Sequence, residues 1–102
     1  MSPNLHPKHL LTIICEAEIE RTLLVSLHKL GIRGYTITEA RGQGEHGDRD
    51  ALWPSSANIR IEVLCDAALL DRALDMLADE YFASYGLIAF VSDVGVLRPG
   101  KF

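Results

Sequence analysis

The feature that most constrains the fold of this chain is a strand that runs into a long polar excursion and returns as a second strand. Residues 34–41 alternate β-branched and aromatic residues with threonine and alanine, which predicts a strand. That signal ends at Gly42 and Gly44, and the next strand signal starts near Asn58. A hairpin needs only about 2–5 loop residues, and longer excursions in compact domains are usually functional or disordered. We therefore interpret the loop at about 42–57 as the working part of the molecule.

Periodicity in the rest of the chain predicts two helices and three more strands. The four predicted strands cover residues 9–15, 34–41, 58–65 and 87–91, with 94–97 continuing or following the last. The two predicted helices cover residues 18–30 and the stretch from Asp66, a potential cap, to Tyr85. Gly31 is a plausible stop for the first helix. The order β-α-β-β-α-β with right-handed crossovers predicts an α+β fold, the ferredoxin-like sandwich, as a single domain over residues 1–102.

The two helices of such a fold cover one face of the sheet and leave the other open. In the third strand Ile59, Ile61 and Val63 share one face, and the opposite face carries Arg60, Glu62 and Leu64. An open face that is half polar and half apolar suggests partial burial against another subunit.

Composition and charge restrict the class of protein. The net charge of −4 and the pI of about 5.4 argue against nucleic-acid binding, which needs a basic surface. No apolar run approaches the roughly 18 residues of a membrane helix, and residues 1–8 do not resemble a signal peptide, so we expect a cytoplasmic protein. Cys15 and Cys65 each end a predicted strand, and antiparallel pairing would separate them too far for a disulfide.

Enzymatic, RNA-binding and metal-binding chemistries find weak support. An acylphosphatase of this topology needs a glycine-rich phosphate cradle after the first strand, where this chain has Glu16 and Glu18. RNA-recognition modules need aromatic residues on the central strands, and the first and third strands have none. The candidate metal ligands are His6 and His9, in a proline-flanked arm, and His46 with Asp48 and Asp50, in the loop. For the loop residues, a solvated polar segment is the favoured interpretation. We therefore predict neither catalytic residues nor metal ligands.

An anion site is better supported. Gly42 and Gly44 with the intervening Gln43 can expose backbone N–H groups as an anion nest, and Arg98 and Lys101 follow the last strand with positive charge. On these residues alone, an anion site and a mobile turn beside a solvated tail are equally favoured.

A family resemblance favours the anion site. Residues 31–44, Gly-Ile-Arg-Gly-Tyr-Thr-Ile-Thr-Glu-Ala-Arg-Gly-Gln-Gly, closely resemble the signature with which nitrogen-regulatory PII signal proteins enter their long T-loop. Residues 59–63 resemble the strand that leaves that loop, and residues 96–98 resemble the C-terminal segment that supplies phosphate-binding arginines. The resemblance implies a non-enzymatic homotrimer with an adenine nucleotide in each cleft between subunits.

Two departures point to one branch of that family. Trp53 is the only aromatic residue in the loop, where PII proteins carry a modifiable tyrosine, and residues 82–88 lack the two lysines of the second nucleotide loop. That second stretch resembles the PII-like proteins associated with bicarbonate transporters and carboxysomes, which bind AMP, ADP or cyclic AMP and respond to inorganic carbon. Losing two cations disfavours a triphosphate. The expected role is to signal inorganic-carbon and energy status through the T-loop to a bicarbonate transporter or another target.

The resemblance also implies individual binding residues. The nucleotide-binding residues would be Thr36, Gly42, Gly44, Leu64, Gly86, Arg98 and Lys101. The candidates for bicarbonate are Arg41, Gln43 and Arg60. Two alternatives stay open: a nitrogen-regulatory PII protein that binds 2-oxoglutarate, and a small acylphosphatase-like or nucleotide-hydrolysing enzyme.

Overall fold

A computed structural model of the chain describes residues 4–44, 47–48 and 57–98. In chain order the elements are β1 (His6–Glu16), a 3-10 turn (Ala17–Ile19), α1 (Glu20–Lys29), β2 (Thr36–Ala40), β3 (Gln43–Gly44), β4 (Gly47–Asp48), β5 (Asn58–Cys65), α2 (Ala67–Glu80) and β6 (Ile88–Val96).

The four long strands form one antiparallel sheet in the order β2-β5-β1-β6. The predicted α+β, ferredoxin-like sandwich is confirmed. β3 and β4 form a separate two-stranded ladder, with Gln43 opposite Asp48. The sequence did not predict this ladder, because two-residue strands are too short to produce a period.

Both helices pack on one face of the sheet, and the core lies between these two layers. Its fully buried members include Leu11, Ile13, Leu23, Leu27, Ile61, Val63 and Leu77. Buried residues recur at helical spacing on each helix: Leu23 and Leu27 of α1, and Leu70 and Leu77 of α2.

The helix boundaries have local chemical causes. α1 ends at Lys29, and Gly31 follows its C-cap Leu30 with a φ of +105°, which is accessible to glycine at little steric cost. The N–H of Gly31 donates to the carbonyl of His28, and the N–H of Ile32 donates to that of Leu27, which is the Schellman arrangement. Asp66 is the N-cap of α2, and its Oδ1 accepts the Leu69 N–H at 2.9 Å.

The other sheet face is not covered by the described residues of the chain. Ile88 and Phe90 of β6 are each 44% exposed there. On β1, Ile14 lies opposite Ile88 and Leu10 lies opposite Ser92, and both are half-buried. The sequence predicted the mixed character of this face from β5 alone, and the structure adds apolar residues from β1 and β6.

The two cysteines are distant, as predicted. Cys15 lies opposite Ile59, and Cys65 lies opposite His9. These two positions of β1 are six residues apart, about 20 Å at 3.4 Å per residue, so the two cysteines cannot form a disulfide with each other; both are buried. Of the helices in the described ranges, none has the length and apolar character to cross a membrane.

Candidate functional site

One group of candidate residues lies where the sheet meets the long loop. β2 ends at Ala40, which lies opposite Asn58, the first residue of β5. Arg41 and Gly42 follow and are exposed. In the described part of the chain, apart from Gly42 and its two neighbours in sequence, no heavy atom lies within 4 Å of the point where a Cβ on Gly42 would stand. A small ligand therefore has room to approach the backbone at this corner.

Asn58 is a polar residue of this corner that the sequence reasoning missed. It is 3% exposed, and its Nδ2 has no hydrogen-bond partner among the described residues. A buried donor without a partner costs about 1–3 kcal/mol, so an acceptor from a bound anion would relieve that cost. The position of Asn58 in the sequence could have identified it, because it is the first strand residue after the loop and lies on the same sheet face as Arg60.

Arg60 lies two residues after Asn58 on β5, opposite Thr38. Its Nη2 donates to Oε2 of Glu62 at 3.2 Å. The two side chains are 45% and 31% exposed, and pairs this accessible contribute only about 0–1 kcal/mol. Arg60 can therefore exchange Glu62 for an incoming anion at little cost.

A second group of candidate residues lies further along the sheet. Thr36 starts β2 opposite Glu62, and Leu64 lies two residues beyond Glu62 on the same sheet face. Arg98 is exposed and follows the end of β6, where Val96 lies opposite His6.

The structure keeps these two groups apart within one chain. Five residues separate Thr36 from Arg41, about 16 Å at strand spacing. Gly86 precedes β6 and Arg98 follows it, and the nine residues of that strand span about 30 Å. The residues predicted for one nucleotide site therefore do not converge within one chain and fall into two predicted half-sites. One, with Gly42 and Gly86, lies at the loop end of the sheet; the other runs from Thr36, at mid-sheet, through Leu64 to Arg98 beyond the opposite end.

Some predicted residues cannot be located in full. Lys101 lies outside the described residues, and so do His46 and Trp53; Gln43 and Gly44 are described only as strand backbone. The described ranges contain no group of three or more His, Cys, Asp or Glu residues able to hold a metal ion.

An open groove of about 540 Å³ lies elsewhere, along the outer side of α1. Its lining residues are Glu20, Arg21, Leu24, Val25, His28, Lys29 and Tyr35. None of them was predicted to bind a ligand, and the groove does not include either half-site.

Comparison with known proteins identifies the family. Residues 8–101 match the family model of the nitrogen regulatory protein P-II. The chain belongs to the PII family. A search of curated proteins finds no match.

Solved structures agree with this assignment. A PII-like signalling protein from Thermus thermophilus is 40% identical, with 97% of this chain and 98% of that chain covered and a TM-score of 0.81. CPII from Thiomonas intermedia, solved with ADP and bicarbonate, is 29% identical over 99% of both chains, with a TM-score of 0.88. A further structure of CPII holds ADP, AMP and bicarbonate, at 28% identity and a TM-score of 0.78, with 91% of this chain and 96% of that chain covered.

Proposed function

We propose that this protein is a non-enzymatic homotrimeric regulator that binds ADP or AMP together with bicarbonate and signals through its long loop. The observation that carries the proposal is the match, over 99% of both chains, to CPII bound to ADP and bicarbonate. The function is the reporting of inorganic-carbon and energy status to a target protein.

The two half-sites support a site shared between subunits. Thr36, Leu64 and Arg98 lie away from the loop corner that holds Gly42. A nucleotide contacted by both groups needs one end of one chain against the other end of a second chain. The exposed Ile88 and Phe90 on the open sheet face provide apolar surface for such an assembly. In this arrangement each trimer has three equivalent nucleotide sites.

The loop corner supports binding of a small anion. Asn58 offers an unpartnered amide donor, Arg60 is held by a weak pair, and the Gly42 backbone is open. Arg41 adds a second guanidinium there. Bicarbonate needs converging N–H donors and positive charge, which this set supplies.

The two ligands should be coupled, because both use the loop that starts at Gly42. The first ligand to bind spends conformational entropy that the second no longer loses. We expect bicarbonate to improve ADP affinity by about fivefold, and ADP to improve bicarbonate affinity by the same factor. A target such as a bicarbonate transporter would then distinguish the loop of the liganded protein from that of the free protein.

Calorimetry tests this proposal directly. ADP, AMP, ATP and cyclic AMP are titrated into the protein in bicarbonate and, as control, in chloride of matched pH and ionic strength, because salt alone screens phosphate binding. We expect ADP or AMP to bind more tightly in bicarbonate than in chloride. No binding of any adenine nucleotide would contradict the proposal, and equal affinities in the two buffers would remove the coupling.

Two control assays separate the alternatives. A nucleotide-hydrolysing or acylphosphatase-like enzyme would turn over ADP, ATP or an acyl phosphate, whereas we expect no phosphate release. A nitrogen-regulatory PII protein would bind 2-oxoglutarate in the presence of ATP, which the missing lysines of residues 82–88 argue against.

A further inference from the structure

The turn between α2 and β6 carries an aromatic residue beside a predicted nucleotide-binding glycine. Residues 82–87 contain no lysine or arginine. Tyr85, the residue before Gly86, is 38% exposed. Among the described residues other than Gly86 and its two chain neighbours, no heavy atom lies within 4 Å of the position of a Cβ on Gly86. Tyr85 is therefore a partly exposed aromatic residue in a turn, residues 82–87, that has no lysine or arginine to pair with phosphate.

The ring of Tyr85 packs against a buried residue of the protein interior. It packs on the ring of Tyr81, with centroids 5.8 Å apart and planes inclined by 35°. The N–H of Tyr85 also donates to the Tyr81 carbonyl at 2.9 Å. Tyr81 itself is 3% exposed, and its hydroxyl lies 2.7 Å from Oγ of Ser26 on α1. A hydrogen bond between residues 55 positions apart thus anchors the base of the turn to the other helix.

This arrangement suits stacking rather than charge pairing. A ring with a fixed plane loses little conformational freedom when a flat ligand packs on it, and base–aromatic stacking contributes substantially to nucleotide affinity. We propose that Tyr85 is a nucleotide-contacting residue whose ring packs on the base or ribose, and that Tyr81 and Ser26 are positioning residues that fix its plane. This inference rests on the proposed nucleotide-binding function.

Substitutions at Tyr85 separate the ring from its hydroxyl. Calorimetry with the full-length protein measures ADP and AMP affinity for Tyr85→Leu and Tyr85→Phe. Tyr85→Leu should weaken both nucleotides by about tenfold, within the range that loss of one stack produces. The factor should be equal for ADP and AMP, because the ring does not contact the additional phosphate. Tyr85→Phe keeps the ring and should stay within about twofold of wild type.

Phe82 provides the matched control. It lies in the same turn, is 49% exposed, and is not adjacent to Gly86. Phe82→Leu should leave ADP affinity unchanged. An equal loss for Phe82→Leu and Tyr85→Leu would mean that the turn responds to any apolar change, and would overturn the contact at Tyr85.

The positioning role has its own readout. Tyr81→Phe and Ser26→Ala each remove one partner of the hydroxyl pair, so each should weaken ADP by about three- to fivefold, and the double variant should be no weaker than either single one. Amide hydrogen exchange of residues 82–87 should accelerate in both single variants. Lower melting temperatures with unchanged ADP affinity would indicate a purely structural role.

The outcomes also distinguish this inference from the function on which it rests. If wild-type protein does not bind ADP or AMP, both the function and the role of Tyr85 are overturned. If wild type binds ADP and Tyr85→Leu binds it equally well, the function stands and the contact at Tyr85 is overturned.

Discussion

Truncation of Phe90 should dissociate the trimer that we propose for this protein. Phe90 lies on the open sheet face opposite Thr12 and is 44% exposed in the single chain. A phenylalanine buries about 200 Å² when covered, so about 90 Å² remain for a partner subunit. At about 25 cal/mol per Å², covering that area stabilises the assembly by about 2 kcal/mol per chain. Alanine retains part of this, which leaves a loss of about 1.5 kcal/mol per chain for Phe90→Ala.

Three chains multiply the effect. The trimer loses about 4.5 kcal/mol, which at about 1.4 kcal/mol per tenfold lowers its association constant about a thousandfold. The association constant of a trimer varies with the inverse square of the protein concentration at half-dissociation. The concentration of half-dissociation should therefore rise by about 30-fold.

Sedimentation velocity over nanomolar to micromolar concentrations measures this shift. Wild type should sediment at about three times the 11.3 kDa of the monomer. Phe82→Ala is the matched control, because Phe82 has the same side chain and similar exposure, 49%, but lies in the turn after α2. A monomeric wild type, or equal shifts for Phe90→Ala and Phe82→Ala, would refute the assignment of the open face to the subunit interface.

Three further predictions use other parts of the molecule. Arg98→Ala should weaken ADP binding by about 10- to 100-fold, since a charged hydrogen bond to phosphate contributes about 1.5–3 kcal/mol. Calorimetry compares its ADP affinity with that of the exposed control variant Arg72→Ala, and equal affinities would exclude Arg98 from the site. Gly31→Ala should lower the free energy of unfolding by about 1–2 kcal/mol, because its φ of +105° is strained for alanine. Urea unfolding measures that loss, and Gly34→Ala, which meets no atom within 4 Å, should change stability less. Burial and, to a smaller extent, the Asp66 carboxylate raise the pKa of the Cys65 thiol, whereas the charge of Lys8 lowers it. The free energy of unfolding should therefore fall above about pH 9, where the unfolded chain releases a proton that the folded chain retains. Cys65→Ala should flatten that fall, and an unchanged slope would contradict this assignment to Cys65.

The order and type of the main elements could be read from the sequence because their causes are local. The alternation of Ile59, Ile61 and Val63 defined β5, whose structural bounds, Asn58–Cys65, agree with the predicted strand. Asp66 and Gly31 marked helix ends through hydrogen bonds that span only a few residues. The T-loop signature of residues 31–44 likewise lies in one continuous stretch, so the family was recognisable before the fold was known.

Strand boundaries that depend on pairing with a distant strand were harder to predict from the sequence. The predicted first strand began at His9, but β1 begins at His6, which lies opposite Val96 of β6. A proline-flanked arm has no strand signal of its own, and only the distant β6 gives it a partner. The same pairing extends the last strand without a break from Ile88 to Val96.

The site depended most on tertiary structure. The family resemblance implied that Thr36, Gly42 and Arg98 belong to one site, and only the sheet register showed how far Gly42 lies from Arg98 within one chain. The unpartnered amide of Asn58 could not be inferred, because burial depends on what packs around a residue. The Ser26–Tyr81 hydrogen bond joins positions 55 residues apart. Local patterns determine which elements form, whereas the contacts between elements, which decide the binding geometry, exist only once the chain has folded.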